Sequence, residues 1–320
     1  MSHFSPDTTF RSLFAEPCFA GWQHMLDYRR NGVAPWVDDA TMGQFQEQTG
    51  WNLSLMLEGL EHVYACCSRQ QVFYPIYDTT EDGKDLTGLA AFPLEKKSKF
   101  VVIVPGGGYG AVCSLLDGYS YAKELNAMGY AAFVVCYRVA PYTQPVPQED
   151  LAQAVRFILD HAEQFNLDTR DYGVMGFSAG GHLAASFGVQ DLGYGTYDLP
   201  KPGTMFICYP VIIMGTGSHT NSEENFLGAA CSRDEGLTRR WSLEKRVTTD
   251  YPPTFLWQCI GDPAVSIQNS ACFADALKAQ GVPHIYETFP YASHGLPADA
   301  PLHDKQWLSR AVAFWKSNWR

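Results

Sequence analysis

The sequence predicts an α/β fold, in which a mostly parallel central sheet is flanked by helices. The apolar runs Phe100–Val104 and Ala131–Tyr137 are continuous rather than alternating, as strands buried on both faces require. From about Val72 onward, such runs alternate with segments of helical periodicity, which is typical of parallel sheets. The 320 residues suffice for one large domain of this kind with additions, or for two small ones.

Eight segments have the character of strands, and helical segments lie between them. The first two strands flank a turn at residues 81–83. The clearest helix spans 148–165, where Leu151, Val155 and Ile158 recur at helical spacing. Two more helices are predicted near 268–279 and 305–317. The predicted strands are 72–77, 86–92, 100–104, 131–137, 172–177, 204–209, 254–260 and 285–289.

The N-terminal residues do not follow the alternation. A helical pattern runs from Leu53 to Val63, which predicts that residues 1–70 form a helical extension packed on a main domain of residues 71–320. A role of the extension in covering a site or in dimerisation is a second, weaker hypothesis. The extension also contains three tryptophans, Trp22, Trp36 and Trp51.

A second departure lies between two predicted core strands. Residues 211–251 are rich in glycine, serine, threonine, asparagine and charged side chains. Long polar insertions at the end of a parallel strand are commonly functional. The sequence therefore predicts a cap or lid inserted over the carboxyl edge of the sheet.

Composition excludes several classes of function. The net charge of −11 and the isoelectric point near 5.2 disfavour a nucleic-acid partner, because no basic stripe offsets the acidity. No apolar run is long enough to span a membrane. The first residues lack the basic and apolar regions of a signal peptide, so we expect a cytoplasmic protein.

The nine cysteines are scattered through the chain and form no C-x-x-C pair. This spacing disfavours a metal site, and no cofactor is predicted. Cys136, Cys208 and Cys259 lie in apolar strand-like runs, which predicts buried thiols in a reducing compartment.

The segment Gly-Phe-Ser-Ala-Gly at 176–180 carries the clearest chemical signal. It is a G-x-S-x-G pattern with an apolar strand before it and a helix after it. On such a sharp turn the Ser178 hydroxyl is exposed, and the helix N-terminus favours negative charge beside it. The pattern therefore predicts a nucleophilic serine; a glycine-rich turn without chemistry is the alternative.

A nucleophilic serine also needs backbone donors for the oxyanion of its tetrahedral intermediate. Residues 105–110, Pro-Gly-Gly-Gly-Tyr-Gly, directly follow a buried strand. A phosphate loop is disfavoured because no G-K-[ST] follows and the G-x-G-x-x-G register fails at Ala111. We expect the N–H groups of Gly107, Gly108 and Ala179 to form an oxyanion hole; a flexible turn is the alternative.

The base is expected late in the chain, because sites of this type follow the order Ser, Asp or Glu, His. His294 lies in a loop after the last predicted strand and is the favoured base. His182 is carried into the helix that follows Ser178, so we expect it to have a packing or supporting role. Three other histidines fit less well: His219 lies in the cap, His284 precedes a strand, and His303 lies just before the last helix.

The acid that orients the histidine is expected after the strand ending at Ile260. Asp262 lies there, in Gly-Asp-Pro, and would hold the imidazole tautomer and stabilise the imidazolium. A turn aspartate without catalytic function is the alternative. Asp250 precedes that strand, whereas Asp299 and Asp304 follow the histidine and break the order.

From about Val72 to its C-terminus the chain resembles the α/β-hydrolase superfamily, in particular its acetylxylan-esterase-like and hormone-sensitive-lipase-like branch. The resemblance lies in Pro-Gly-Gly-Gly-Tyr at 105–109, Gly-Phe-Ser-Ala-Gly-Gly-His-Leu-Ala at 176–184, Tyr-Pro-Val-Ile at 209–212, Phe-Pro at 289–290 and Ser-His-Gly at 293–295. It implies a triad of Ser178, Asp262 and His294, with oxyanion donors from Gly107 and Gly108. The chain departs from the family in having Pro105 where the lipase-like motif has histidine. Its acid motif also keeps one aspartate of the usual pair and lacks the following proline.

These observations predict a serine carboxylesterase that hydrolyses short-chain acyl esters, with acetylated sugars or xylo-oligosaccharides as one substrate class. A peptidase or amidase of the same fold and a non-catalytic binding module are the alternatives. Small-molecule ester substrates are the expected partners, and a homo-oligomer is compatible with the sequence. Tyr109, Tyr119 and Tyr291 are equally well explained as platforms for a sugar ring and as packing residues.

Overall fold

The computed structural model describes residues 2–26 and 39–319. Within these residues, eight strands form one sheet in the order β1-β2-β4-β3-β5-β6-β7-β8. The first three strands in this order pair antiparallel, and all the other pairs are parallel. The strands are β1 (Phe73–Tyr74), β2 (Gly88–Phe92), β3 (Phe100–Val104), β4 (Ala131–Cys136), β5 (Gly173–Phe177), β6 (Thr204–Cys208), β7 (Thr254–Cys259) and β8 (His284–Phe289).

Helices cover both faces of this sheet, as the sequence predicts for an α/β fold. The described α-helices are α1 (Phe10–Ala15), α2 (Met42–Thr49), α3 (Leu53–Cys67), α4 (Ser114–Asp117), α5 (Tyr119–Ala127), α6 (Val146–Asp160), α7 (Ser178–Phe187), α8 (Thr220–Leu227), α9 (Glu235–Trp241), α10 (Gln268–Ala279), α11 (Leu302–Lys305) and α12 (Trp307–Ser317). None of the helices in the described ranges is long and apolar enough to cross a bilayer.

The strand register brings the predicted site loops to one edge of the sheet. Val104 of β3 pairs with Gly176 of β5, and Phe177 of β5 pairs with Cys208 of β6. On the other side, Cys259 of β7 pairs with Phe289 of β8. Because these strands are parallel, the loops that follow them leave the sheet at the same edge, where ligands bind in open α/β sheets.

All eight predicted strands are present, and the differences lie at their ends and in the helices. The strand predicted at 72–77 is only two residues long, because Pro75 has no N–H to donate and lies in an edge strand. The helix predicted at 148–165 runs from Val146 to Asp160. Helix α5 was not predicted, because its buried side includes Tyr119 and Ser120 beside aliphatic residues and so lacks a clear apolar stripe.

The N-terminal helix α3 packs on α5, the helix that was not predicted. A Cβ on Gly59 of α3 would lie 2.9 Å from Ser120 N and from Tyr119 Cβ, so only glycine allows α3 to approach α5 this closely. The Tyr119 hydroxyl donates to Met25 O at 2.8 Å. Trp36 lies outside the described residues, so its predicted place in the extension has no structural counterpart here.

Residues 211–251 contain α8 and α9 and connect β6 to β7. Phe226 and Leu243 are fully buried, and Trp241 is 2% exposed. This segment is therefore anchored by an apolar base, although its overall composition is polar. The division of the chain into an extension (residues 1–70), a main domain and a cap (residues 211–251) stays a prediction.

Candidate active site

Ser178 lies on a turn that only small neighbours allow. Its φ is +54°, in the left-handed region that side-chain-bearing residues rarely adopt, and it starts α7 directly after β5. A Cβ on Gly176 would lie 2.3 Å from Gly180 O, and a Cβ on Gly180 would lie 2.2 Å from Pro105 O. The glycines of the motif therefore permit close approach of three backbone segments, which forces the serine hydroxyl out of the sheet.

The structure brings together the three residues predicted from the chain order. His294 Nε2 lies 2.8 Å from Ser178 Oγ, and His294 Nδ1 lies 2.8 Å from Asp262 Oδ2. The carboxylate can only accept, so Nδ1 carries the proton and Nε2 is left with a lone pair for the serine hydroxyl. This arrangement can remove a proton from Ser178 when the hydroxyl attacks an acyl carbon.

The Asp262 carboxylate is held by its own loop. Its Oδ1 accepts hydrogen bonds from the N–H groups of Ala264 at 2.9 Å and Val265 at 3.0 Å. Burial raises the pKa of Asp262, but the hydrogen bond and charge of His294, together with these two N–H donors, outweigh burial and leave the pKa below its usual value. The carboxylate is thus ionised and oriented beside the imidazole.

The alternative acids and bases do not hydrogen-bond the triad. His284 begins β8 at the opposite edge of the sheet. His219 caps α8 and bonds to Ser222, and it lies near enough to His294 and Asp262 for their charges to act on its pKa, which burial lowers. Asp250 accepts from Tyr194 Oη at 2.6 Å and from Lys201 Nζ at 2.5 Å, before β7. The remaining alternatives are on or near the C-terminal helices: His303 and Asp304 in α11, and Asp299 in the loop before it.

The glycine loop, residues 105–110, is held by a nearly complete set of hydrogen bonds. Each of its first four carbonyl groups accepts at least one hydrogen bond. The donors lie in or directly after the loop, just after β4, just before α4, and in α8. The bonds are Tyr137 Oη to Pro105 O at 2.8 Å, Cys113 N to Gly106 O at 2.9 Å, Gly110 N and Ala111 N to Gly107 O at 3.0 Å, and Asn225 Nδ2 to Gly108 O at 2.9 Å. These bonds fix the orientation of every peptide plane in the loop.

Three N–H groups of the loop, those of Gly107, Gly108 and Tyr109, have no acceptor among the described residues, and the first two are the donors that the sequence predicts. Gly107 has φ +130° and Gly108 has φ +63°, and a Cβ on Gly107 would lie 2.1 Å from Ala111 O. The N–H of Ala179 lies in the first turn of α7, where no intrahelical acceptor exists. A Cβ on the preceding Gly106 would lie 3.0 Å from Ser178 Cβ, so the loop is packed against the serine. The N–H groups of Gly107, Gly108 and Ala179, the donors predicted from the sequence, are therefore unpaired.

His182 connects the nucleophile helix to the glycine loop and to the segment after β6. Its Nε2 lies 2.9 Å from Trp241 O and its Nδ1 lies 2.8 Å from Tyr109 Oη. Because a carbonyl only accepts, Nε2 carries the proton and Nδ1 accepts from the tyrosine. Burial lowers the pKa of His182 to about 4, so the ring is neutral near pH 7. This geometry agrees with the supporting role that the sequence predicts.

Three polar residues near the site had no role predicted from the sequence: Asp117, Asn225, and Tyr209, which lies in the Tyr-Pro-Val-Ile segment of the resemblance. Asp117 Oδ2 accepts from Gly106 N at 3.1 Å, and Asp117 Oδ1 accepts from Tyr209 Oη at 2.7 Å. Asn225 donates from α8 to the glycine loop. The sequence holds one weak signal, a charged Asp117 directly after Leu115 and Leu116, which marks a buried acid.

The three tyrosines considered as sugar platforms differ in how far they are exposed. Tyr109 and Tyr119 are fully buried, so the packing interpretation is correct for both. Tyr291 is half-buried, and its hydroxyl donates to Asp304 Oδ2 at 2.5 Å. Tyr291 is therefore the one residue of these three that a ligand can still reach.

Two cavities lie beside the triad rather than at it. One, of about 400 Å³, lies between α3, α5 and α12, and the other, of about 610 Å³, lies within the segment after β6. Neither is lined by Ser178, Asp262 or His294. Within residues 2–26 and 39–319, no group of three or more His, Cys, Asp or Glu side chains could hold a metal ion.

Comparisons with known proteins agree with this geometry. The family model described as BD-FAE matches residues 92–194, and the model of the prolyl oligopeptidase family matches residues 208–320. An acetylxylan esterase of Xylanibacter ruminicola is 30% identical over 247 residues, which cover 76% of this chain and 50% of the relative. Endo-1,4-beta-xylanase B of Butyrivibrio fibrisolvens is 37% identical over 212 residues, which cover 62% of this chain and 33% of the relative. The chain thus spans only a third to a half of these two relatives.

A solved structure gives a match over almost its full length. The acetyl ester-xyloside bifunctional hydrolase from Caldicellulosiruptor lactoaceticus is 31% identical with a TM-score of 0.68, and the match covers 77% of this chain and 95% of that one. The carboxylesterase Cest-2923 from Lactobacillus plantarum, 23% identical with a TM-score of 0.61, shares the fold. The chain therefore belongs to the α/β-hydrolase superfamily, in its acetylxylan-esterase-like branch.

Proposed function

We propose that this protein is a serine carboxylesterase that hydrolyses short-chain acyl esters. The observation that carries the proposal is the continuous hydrogen-bonded chain Asp262–His294–Ser178, with 2.8 Å at both links. Ser178 is the nucleophile, His294 the base and then the acid, and Asp262 holds the tautomer. Gly107, Gly108 and Ala179 supply the oxyanion donors.

The reaction proceeds in two halves through an acyl-serine intermediate. Ser178 Oγ attacks the acyl carbon while its proton passes to His294 Nε2, and the oxyanion accepts hydrogen bonds from the three N–H groups. When the ester C–O bond breaks, His294 returns the proton to the departing alcohol. Water then attacks the acyl-serine with the same base, releasing the carboxylic acid and free Ser178.

The substrate class is supported by the names of two relatives. One is an acetylxylan esterase and another an acetyl ester-xyloside bifunctional hydrolase. We therefore propose acetyl groups on xylo-oligosaccharides as substrates. Acetate release from acetylated and from chemically deacetylated xylo-oligosaccharides, followed by proton NMR, tests this; release of acetate from the first and none from the second is expected.

We propose that residues 211–251 act as a cap that helps to shape the site. Its helix α8 holds the glycine loop through Asn225, and its Trp241 carbonyl accepts from His182. For residues 1–70 we propose a structural role, because α3 packs closely on α5.

The activity test uses 4-nitrophenyl esters from acetate to long acyl chains, with Ser178→Ala beside the parent. We expect hydrolysis of acetate and butyrate esters by the parent, and a loss of roughly 10⁶-fold in kcat in the variant. Ser317→Ala is the matched control, since that serine lies at the end of α12 and its hydroxyl bonds only to Phe314 and Asn318. Activity that survives in Ser178→Ala would place the nucleophile elsewhere.

A peptidase or amidase is the second candidate, favoured by the match of residues 208–320 to the prolyl oligopeptidase family. The same triad can cleave amides, so the ratio of ester to amide hydrolysis distinguishes the esterase from the peptidase. We expect kcat/KM for 4-nitrophenyl acetate to exceed that for 4-nitroacetanilide by several orders of magnitude. Faster cleavage of short peptide anilides than of any ester would favour the peptidase.

A further inference from the structure

We propose that Asp117 is a positioning residue that joins the oxyanion loop to the histidine loop and thereby holds the two halves of the active site in register. The proposal rests on the proposed function, because it concerns the same reaction. Asp117 does not contact Ser178, Asp262 or His294 by a hydrogen bond; its two carboxylate oxygens act through Gly106 and Tyr209.

The first arm of Asp117 reaches the glycine loop. Oδ2 accepts the Gly106 N–H at 3.1 Å, directly before Gly107 and Gly108, whose N–H groups we propose as oxyanion donors. A Cβ added to Gly106 would lie 2.9 Å from Asp117 Oδ2 and 3.0 Å from Ser178 Cβ, so the carboxylate and the nucleophile flank the same glycine. Movement of this oxygen changes the direction of the oxyanion donors relative to Ser178.

The second arm reaches the histidine loop through Tyr209. Oδ1 accepts the Tyr209 hydroxyl at 2.7 Å. The Tyr209 and His294 rings are arranged edge to face, with 4.8 Å between their centroids. A Cβ on Gly295 would lie 3.5 Å from the Tyr209 ring. Tyr209 follows β6 with φ +37°, a left-handed conformation that is costly for an aromatic residue unless its surroundings hold it. The hydroxyl bond to Asp117 is one of the contacts that hold it.

The burial of this acid argues for a role beyond packing. Asp117 is 4% exposed, and burying a carboxylate is costly unless each oxygen is hydrogen-bonded. Burial raises its pKa to about 6, and the Tyr209 and Gly106 bonds and the charge of His294 act in the opposite direction. An apolar residue at this position would avoid that cost but could not bridge the two loops.

The positioning role predicts a specific pattern in steady-state kinetics. Asp117→Ala breaks both arms, so kcat should fall by roughly 10²-fold, as for the loss of one oxyanion donor, while KM stays within about threefold. Asp117→Asn can rescue, because its oxygen accepts from Gly106 and its amide donates to the Tyr209 oxygen; its kcat should lie within about tenfold of the parent. Tyr209→Phe breaks one arm and should lower kcat by about tenfold.

Asp150→Asn is the matched control, because Asp150 is also a buried carboxylate with several hydrogen bonds, but its partners are Arg138 and Tyr77. We expect this variant to lower the melting temperature with kcat unchanged. If Asp117→Ala does not fold, Tyr209→Phe carries the test. A kcat within threefold of the parent in the folded variant, or a loss confined to KM, overturns the proposal.

A second probe separates this proposal from the proposed function. A fluorophosphonate reacts when Ser178 Oγ forms a bond to phosphorus, fluoride leaves and His294 takes the proton, with the phosphonyl oxygen in the oxyanion site. The labelling rate should fall in Asp117→Ala in parallel with kcat and recover in Asp117→Asn. A parent that is labelled but hydrolyses no ester defeats only the esterase proposal, whereas equal labelling rates in parent and Asp117→Ala defeat the positioning proposal. A parent that is not labelled at all defeats both.

Discussion

The two sides of the active site differ in whether backbone or side-chain groups form them. The nucleophile side, Ser178 and the glycine loop, consists of closely packed backbone groups that leave no room for a Cβ at Gly107 or Gly180. The base side, Asp262 and His294, consists of side chains on loops after β7 and β8, and the His294 side chain is 28% exposed. The difference teaches that the nucleophile side is sensitive to volume and the base side to the identity of donor and acceptor atoms.

The largest effect should follow from adding one methyl group on the nucleophile side. In Gly180→Ala the new Cβ would lie 2.2 Å from Pro105 O and 2.3 Å from Val104 O, both backbone atoms that cannot move aside cheaply. We expect loss of all measurable esterase activity and a large fall in melting temperature. Gly236→Ala in α9, where the nearest atom is the Asp234 side chain at 3.1 Å, is the control and should behave like the parent.

On the base side a change that keeps volume should be nearly as damaging to rate but harmless to stability. In Asp262→Asn the amide oxygen can still accept from Ala264 and Val265, which leaves the NH₂ group facing His294 Nδ1. The imidazole then prefers the wrong tautomer, and kcat should fall by roughly 10⁴-fold. Thermal denaturation should change little. A rate within a few-fold of the parent would point to another carboxylate.

A smaller effect should follow where α8 supports the nucleophile side. Asn225→Ala removes the donor to Gly108 O at 2.9 Å, which is worth about 1 kcal/mol. We expect kcat for 4-nitrophenyl acetate to fall by about fivefold. Ser232→Ala, also between β6 and β7 but bonded only to Ala229, is the control. An unchanged rate in Asn225→Ala would mean that the loop's own bonds suffice to hold it.

The smallest effect on activity is expected from His182, whose contribution is a pH dependence of stability. Its folded pKa of about 4 lies below the ordinary value of 6.5, so the unfolded chain binds more protons between these limits. Stability is therefore fully present above about pH 6.5 and is lost as pH falls toward 4. The slope of unfolding free energy against pH in this window should be smaller in His182→Gln. Identical slopes in both proteins would contradict a neutral, buried His182.

Local pattern was enough to predict much of this molecule. Continuous apolar runs define the parallel strands, and the edge at which such strands end determines where Ser178, Asp262 and His294 can meet. Chain order then distinguishes His294 from His284, which begins its strand at the opposite edge. These inferences work because strand direction and motif spacing are properties of short stretches of sequence.

Apart from His182, the groups that support the site were decided by the tertiary structure. Asp117 and Tyr209 are 92 residues apart, and Gly108 and Asn225 are 117 apart, and no periodicity or motif joins such pairs. The buried position of Tyr109 and the packing of α3 on α5 are likewise set by distant partners. The sequence by itself determined the fold class and the choice of Ser178, Asp262 and His294. The hydrogen bonds that hold these residues in place arise only when folding brings distant backbone and side-chain groups together, because a buried polar group such as the Asp117 carboxylate needs a partner from the protein.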